Sequence, residues 1–116
     1  MEVVIYHNPR CSKSRQTLQL LEEKGIEPEI VKYLEQTPSV EQLKTLYSQL
    51  ELSAVRDMMR TKEAIYKELG LADKDLSDEE LFKAMAENPK LIERPIVVAN
   101  GKAKHGRPPE QVLQLL

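Results

Sequence analysis

The single cysteine of this 116-residue chain, Cys11, lies in the stretch YHNPRCSKSRQTL at residues 6–18. Arg10, Lys13 and Arg15 crowd around it, although the chain as a whole carries a formal charge of −2. Neighbouring cations and a helix N-terminus both lower the pKa of a thiol, and the thiolate is the nucleophile. One cysteine can form no disulfide within the chain, so any disulfide at Cys11 must be made with, and resolved by, an external thiol. Ser14 stands three residues on, where Cys-x-x-Cys enzymes keep their second thiol. Its hydroxyl can donate to a thiolate or to a bound oxyanion. His7 can tune the thiol, shuttle a proton, or simply hold a strand end by a hydrogen bond. A lone cysteine is more often an inert, buried, small apolar residue. A place among cations, just after Asn8-Pro9 and before a helix, argues for a nucleophile instead.

A helix N-terminus also offers free N–H groups and partial positive charge to an anion. A doubly charged oxyanion needs more, and arginine supplies planar, bidentate donors at every relevant pH. Arg60, within RDMMRTKEAIYKELGL, is one candidate; Arg94 before Pro95 and Arg107 before Pro108-Pro109 are two others. Each alone reads equally as a surface residue or salt-bridge partner. One cysteine and two histidines, His7 and His105, give no metal-ligand spacing, and no metal is expected.

The elements that must position these residues follow from the apolar pattern. Val3-Val4-Ile5-Tyr6, ended by Asn8-Pro9, predicts a buried strand. From Ser12 a helix follows, with Thr17, Leu18, Leu20 and Leu21 on its apolar side and Gly25 as its stop. EIVKYL at 29–34 predicts the next strand and completes a βαβ unit. Ser39 with Gln42, and Ser77 with Glu80, are capping-box signals for two helices. Residues 53–69 read as one or two more helices closed by Gly70. Ile96 to Ala99 is a strand, Asn100-Gly101 a hairpin turn with positive φ at both positions, and Lys102 to Lys104 the returning strand. A final helix opens at Pro108-Pro109, with Val112, Leu113 and Leu116 facing inward. The order β-α-β, helices, β-β-α predicts an α/β fold: one small mixed sheet with helices on its faces.

With 41% apolar residues the chain can bury a core without staples. Its charge gives no general attraction to nucleic acid or membranes. No apolar run approaches the ~20 residues of a spanning helix, and the start lacks the features of a signal peptide. These point to a soluble cytoplasmic domain, with a monomer as the expected state.

YHNPRCSKSRQTL closely resembles the active-site segment of the arsenate reductases that use glutathione and glutaredoxin. ERPIVVANGKAKHGRPPEQVLQLL resembles that family's C-terminal segment, with its two Arg-Pro pairs, and MMRTKEAIYKELGL fits its middle. The resemblance covers essentially the whole chain and is closest to the arsenate-reductase-like subgroup. It implies a thioredoxin-like fold with a small mixed four-stranded sheet, as one domain over 1–116 with a helical insertion at about 39–88. It implies that Cys11 is the nucleophile and that Arg60, Arg94 and Arg107 handle the oxyanion. It places His7, Ser14 and Arg15 on the active-site loop and Pro95 at the cis-proline position. Two departures stand out. Ser12 and Lys13 follow the cysteine where the reductases carry small residues, usually Gly-Thr, and Arg10 precedes it where they tend to be smaller.

The implied activity is reduction of arsenate, or a similar oxyanion, through a Cys11 adduct. Glutathione is then a co-substrate, glutaredoxin a partner, and no cofactor stays bound. Two other functions fit the same fold. One is a glutaredoxin-like thiol reductase without arsenate activity. The other is a redox regulator that binds RNA polymerase, though such regulators usually carry Cys-x-x-Cys and lack the full arginine set.

Overall fold

The computed structural model describes residues 2–116, and the chain forms two compact units. The first comprises the segment up to Gln36 together with Arg94–Leu116; the second is Thr37–Glu93.

The first unit holds a four-stranded sheet. Strand β1 (Val3–His7) leads through helix α1 (Ser12–Glu23) to strand β2 (Glu29–Lys32). Strands β3 (Ile96–Ala99) and β4 (Lys102–His105) follow much later in the chain. The order is β2-β1-β3-β4. β1 runs parallel to β2, with Ile5 opposite Ile30, and antiparallel to β3, with Ile5 opposite Val97. A parallel pair needs a crossover, and α1 provides it. Alternation along β1 buries Val3, Ile5 and His7. Val3 and Ile5 join Leu21, Val97, Ala99, Val112 and Leu115 in one apolar cluster, with Leu18 and Ile26 packed at its margin. Removal of this surface from water is the main term holding α1 against the sheet. Asn100 (φ 56°) and Gly101 (φ 75°) form the turn of the β3–β4 hairpin, the conformation their pairing demands.

Two elements depart from the sequence pattern. β2 stops at Lys32 rather than Leu34. The Lys32 carbonyl accepts from the N–H groups of Glu35 and Gln36 (2.9 and 2.8 Å), so a turn begins there. Tyr33, on that turn, is nevertheless buried, whereas Leu34 is exposed. The C-terminal segment Pro109–Leu115 is a 3-10 helix rather than an α-helix. Three residues per turn stack every third side chain in one row, which buries Pro109, Val112 and Leu115. Leu113 is therefore half-buried and Leu116 exposed, where an α-helical period had placed both inside.

The second unit contains helices α2 (Val40–Leu50), α3 (Ala64–Glu68) and α4 (Asp78–Glu87), and 3-10 turns at Val55–Met58 and Pro89–Leu91. Both capping boxes form: Ser39 and Ser77 accept from the N–H groups of Gln42 and Glu80, whose side chains accept in return. Tyr47 of α2 meets Phe82 of α4 edge to face at 5.7 Å. Arg56 ties α3 and the irregular segment after it to the turn at Val55–Met58, donating to the carbonyls of Leu71 (2.8 Å) and Asp73 (2.6 Å) and to the Tyr66 hydroxyl (3.2 Å). Among the described residues no helix is long and apolar enough to cross a membrane.

Candidate active site

The loop between β1 and α1 is held by its own backbone. The Asn8 carbonyl accepts from the Cys11 N–H at 3.0 Å, and Asn8 Oδ1 accepts from the Arg10 N–H at 3.0 Å. The Arg15 N–H donates to the Cys11 carbonyl at 3.0 Å, which starts the helix. Cys11 is thus the N-cap residue, with extended backbone (φ −94°, ψ 122°). Its side chain occupies the place where a cap residue meets the orphan N–H groups of the first turn. The residue is only 8% exposed.

Burial by itself raises the thiol's pKa. The Ser14 N–H, the Arg94 guanidinium and the Lys13 N–H act against burial, and the net value lies below that of an ordinary thiol. The thiol makes no formal capping hydrogen bond, yet these N–H groups still favour its anion. The cation that acts on Cys11 therefore arrives from the other end of the chain. Of the three nearby cations, Arg10 and Lys13 are exposed, and Arg15 donates through Nη1 to the Pro9 carbonyl at 2.9 Å. Arg15 therefore braces the loop.

Ser14 is fully buried. Its Oγ accepts from the Asn8 N–H at 3.0 Å and lies 2.6 Å from His7 Nδ1. The hydroxyl thus faces His7 and Asn8, and the N–H of Ser14 is what serves the thiolate. Burial, Lys32 and Arg15 lower the pKa of His7. A neutral His7 either accepts the Ser14 O–H at Nδ1 or donates to it, according to its tautomer.

Arg94 and Arg107 come together. Arg107 Nη1 donates to the Arg94 carbonyl at 3.2 Å, and the Gly106 N–H donates to the Pro95 carbonyl at 3.0 Å. The Arg94–Pro95 and Arg107–Pro108 peptide bonds are both cis. Arg60 belongs to the second unit, where its guanidinium is paired with Glu63 and its N–H donates to the Leu91 carbonyl at 2.7 Å. Two grooves border this part of the first unit. One, of about 380 Å³, is lined by Lys13, Gln16, Leu20, Pro108 and Glu110 among others. The other, of about 270 Å³, lies by His7, Arg10 and Lys32. Lys13 thus lines the outer groove, while its N–H serves the thiol. Among the described residues no three His, Cys, Asp or Glu side chains gather as metal ligands.

Two residues that shape the site lie outside the sequence motifs: Asn8, which the pattern marks only as a break, and Gly106. Asn8 has a legible signal in retrospect: Asx side chains bond their own backbone two residues on. Gly106 has none, because its role depends on tertiary packing.

A mixed four-stranded sheet, with a thiolate-favouring cysteine capping its first helix, defines the thioredoxin-like class. Within it, the chain belongs to the ArsC family, whose model matches residues 6–115. It is 57% identical to an arsenate reductase of Haemophilus influenzae over 116 residues, covering 100% of both chains. It is 60% identical to the uncharacterized protein YfgD of Escherichia coli K12, over 99% of this chain and 97% of that one. A solved arsenate reductase from Vibrio cholerae superposes with a TM-score of 0.99 at 70% identity, covering 100% of this chain and 98% of that one.

Proposed function

We propose that this protein reduces arsenate, or a closely similar oxyanion, through a covalent adduct on Cys11, with glutathione and glutaredoxin as reductants. The observation that carries the reading is the pairing of a thiolate-favouring N-cap cysteine with Arg94 on the opposing turn. Relatives named arsenate reductase that match over the whole chain support the substrate.

The Cys11 thiolate attacks arsenic(V), and one oxygen leaves as water after protonation, forming an S–As bond. Arg94 balances the charge that gathers on the oxyanion. A glutathione thiolate then attacks Cys11 Sγ. The S–As bond breaks with its electron pair left on arsenic, so arsenite departs as arsenic(III). Two sulfurs have been oxidised to a mixed disulfide between Cys11 and glutathione. Since the chain has no second cysteine, glutaredoxin supplies the thiol that returns Cys11 to its reduced form.

The test is turnover of arsenate by the native protein with glutathione and glutaredoxin. Activity that is lost in Cys11→Ser is expected. Native protein that reduces mixed disulfides but leaves arsenate untouched would replace this reading with that of a thiol reductase.

A further inference from the structure

Gly106 is buried, and its backbone is outside the left-handed region, so no dihedral requirement calls for glycine there. The requirement is space. A Cβ on Gly106 would stand 2.3 Å from Thr17 Oγ1, 3.0 Å from Thr17 Cγ2 and 2.8 Å from Pro95 Cγ. Thr17 is fully buried on α1 and cannot turn away freely, because its Oγ1 donates to the Lys13 carbonyl at 2.8 Å. On its other side Gly106 is bonded to the Pro95 carbonyl, and the next residue, Arg107, holds the carbonyl of Arg94. One glycine is therefore pressed between the helix that begins at Cys11 and the turn that carries Arg94.

We infer that Gly106 is a positioning residue: its missing side chain sets how closely the first turns of α1 approach the Arg94–Pro95 turn, and so how closely the Arg94 guanidinium faces Cys11. A methyl group there must drive the two apart, since the surrounding atoms belong to a pinned side chain and a proline ring. Arg94 is the charge that would retreat. Of the other charged or titratable groups around the Cys11 loop, Arg10 lies on the loop and Lys13 and Arg15 on α1, so they would move with Cys11, whereas His7 ends β1 and stays with the sheet.

This inference rests on the proposal that the Cys11 thiolate is the reacting group, but its readout needs no arsenate. The experiment is the pH dependence of Cys11 alkylation by iodoacetamide, in Gly106→Ala, Thr17→Ala and the double variant, with folding checked by circular dichroism. Gly106→Ala is expected to shift the alkylation profile to higher pH, each unit meaning a tenfold smaller thiolate fraction well below the pKa. Thr17→Ala should leave the profile near wild type. In the double variant the two Thr17 atoms are gone, the glycine position can relax toward α1, and the profile should return. A folded Gly106→Ala protein with a wild-type profile overturns the inference, as does a double variant no better than Gly106→Ala. Should Gly106→Ala alone not fold, Thr17→Ser/Gly106→Ala decides: it keeps the clashing hydroxyl oxygen and drops the clashing methyl group, and is expected to show an intermediate shift. A wild-type profile there overturns the inference too. If the profiles behave as expected while native protein leaves arsenate unreduced, the substrate reading fails and the positioning role stands.

Discussion

The guanidinium of Arg107 donates to the main-chain carbonyl of Arg94, 3.2 Å away. The guanidinium of Arg94 in turn favours the Cys11 thiolate. The two arginines thus act at different removes from the sulfur: one through its charge on the thiol, the other through the backbone that carries the first.

Removing Arg94's charge should therefore move the thiol more than removing Arg107's. In Arg94→Gln the pH profile of Cys11 alkylation is expected to shift to higher pH. Arg107→Gln should shift it in the same direction by a smaller amount. Absorbance of the thiolate near the ultraviolet edge, titrated in both variants, gives an independent check. Equal shifts would mean that Arg107 acts on the sulfur directly.

The His7–Ser14 contact leads to a stability prediction. Ser14→Ala leaves a part-buried Asn8 N–H and the buried His7 ring without the oxygen they share. An unsatisfied buried polar group costs about 1–3 kcal/mol, so a loss of that order is expected in urea unfolding. The N–H of residue 14 survives the substitution, so the Cys11 profile should move less than in Arg94→Gln. A Ser14→Ala protein of wild-type stability but strongly raised thiol pKa would show that the hydroxyl serves the sulfur after all.

Much of this arrangement was legible in the sequence, and the rest was not for physical reasons. Cys11 at a strand-to-helix junction follows from a local change of period, and the Asn100-Gly101 turn from a local φ requirement. The cations beside Cys11 in sequence misdirect, because neighbours on a loop and a helix start point several ways. Arg15 turns to the Pro9 carbonyl, and the charge that reaches the thiol comes from Arg94. The pairing of β1 with β3, which sets Tyr6 opposite Ile96, brings the Arg94–Pro95 turn that precedes β3 beside the Cys11 loop. The C-terminal row of Pro109, Val112 and Leu115 fits a period of three. The same stretch scored on a period of 3.6 selects Leu113 and Leu116, so a short apolar run could not arbitrate.

In the second unit, Arg56 bears on stability alone. It donates to the Tyr66 hydroxyl on α3 and to the carbonyls of Leu71 and Asp73 in the irregular segment that follows. Arg56→Met keeps much of the apolar stem and removes the donors. A loss of about 2–4 kcal/mol is expected, from charge-assisted bonds of roughly 1.5–3 kcal/mol each that are partly replaced by water. Hydrogen exchange should show the loss concentrated over residues 64–76. Uniform loss across the sheet strands would contradict a local role.

Ionisation of Cys11 must also register in the stability of the whole protein. The folded state holds the thiol's pKa below its ordinary value, so the unfolded chain binds the proton more tightly. Between the folded and the unfolded pKa, stability then rises with pH. The contribution is fully present above the unfolded value and is lost as pH falls through the folded one. Cys11→Ser removes the titrating group while keeping a small cap residue. The difference in melting temperature, native minus Cys11→Ser, should therefore grow as pH is raised through that window and level off beyond it. His7 works on a separate, acidic window: its pKa is lowered on folding, so the folded protein resists a proton that the unfolded chain accepts. Stability conferred by neutral His7 is lost as pH falls below the ordinary histidine range, in native and Cys11→Ser proteins alike, and it cancels in the difference. A difference that stays flat from pH 5 to 9 would mean that the fold does nothing to ionise the sulfur.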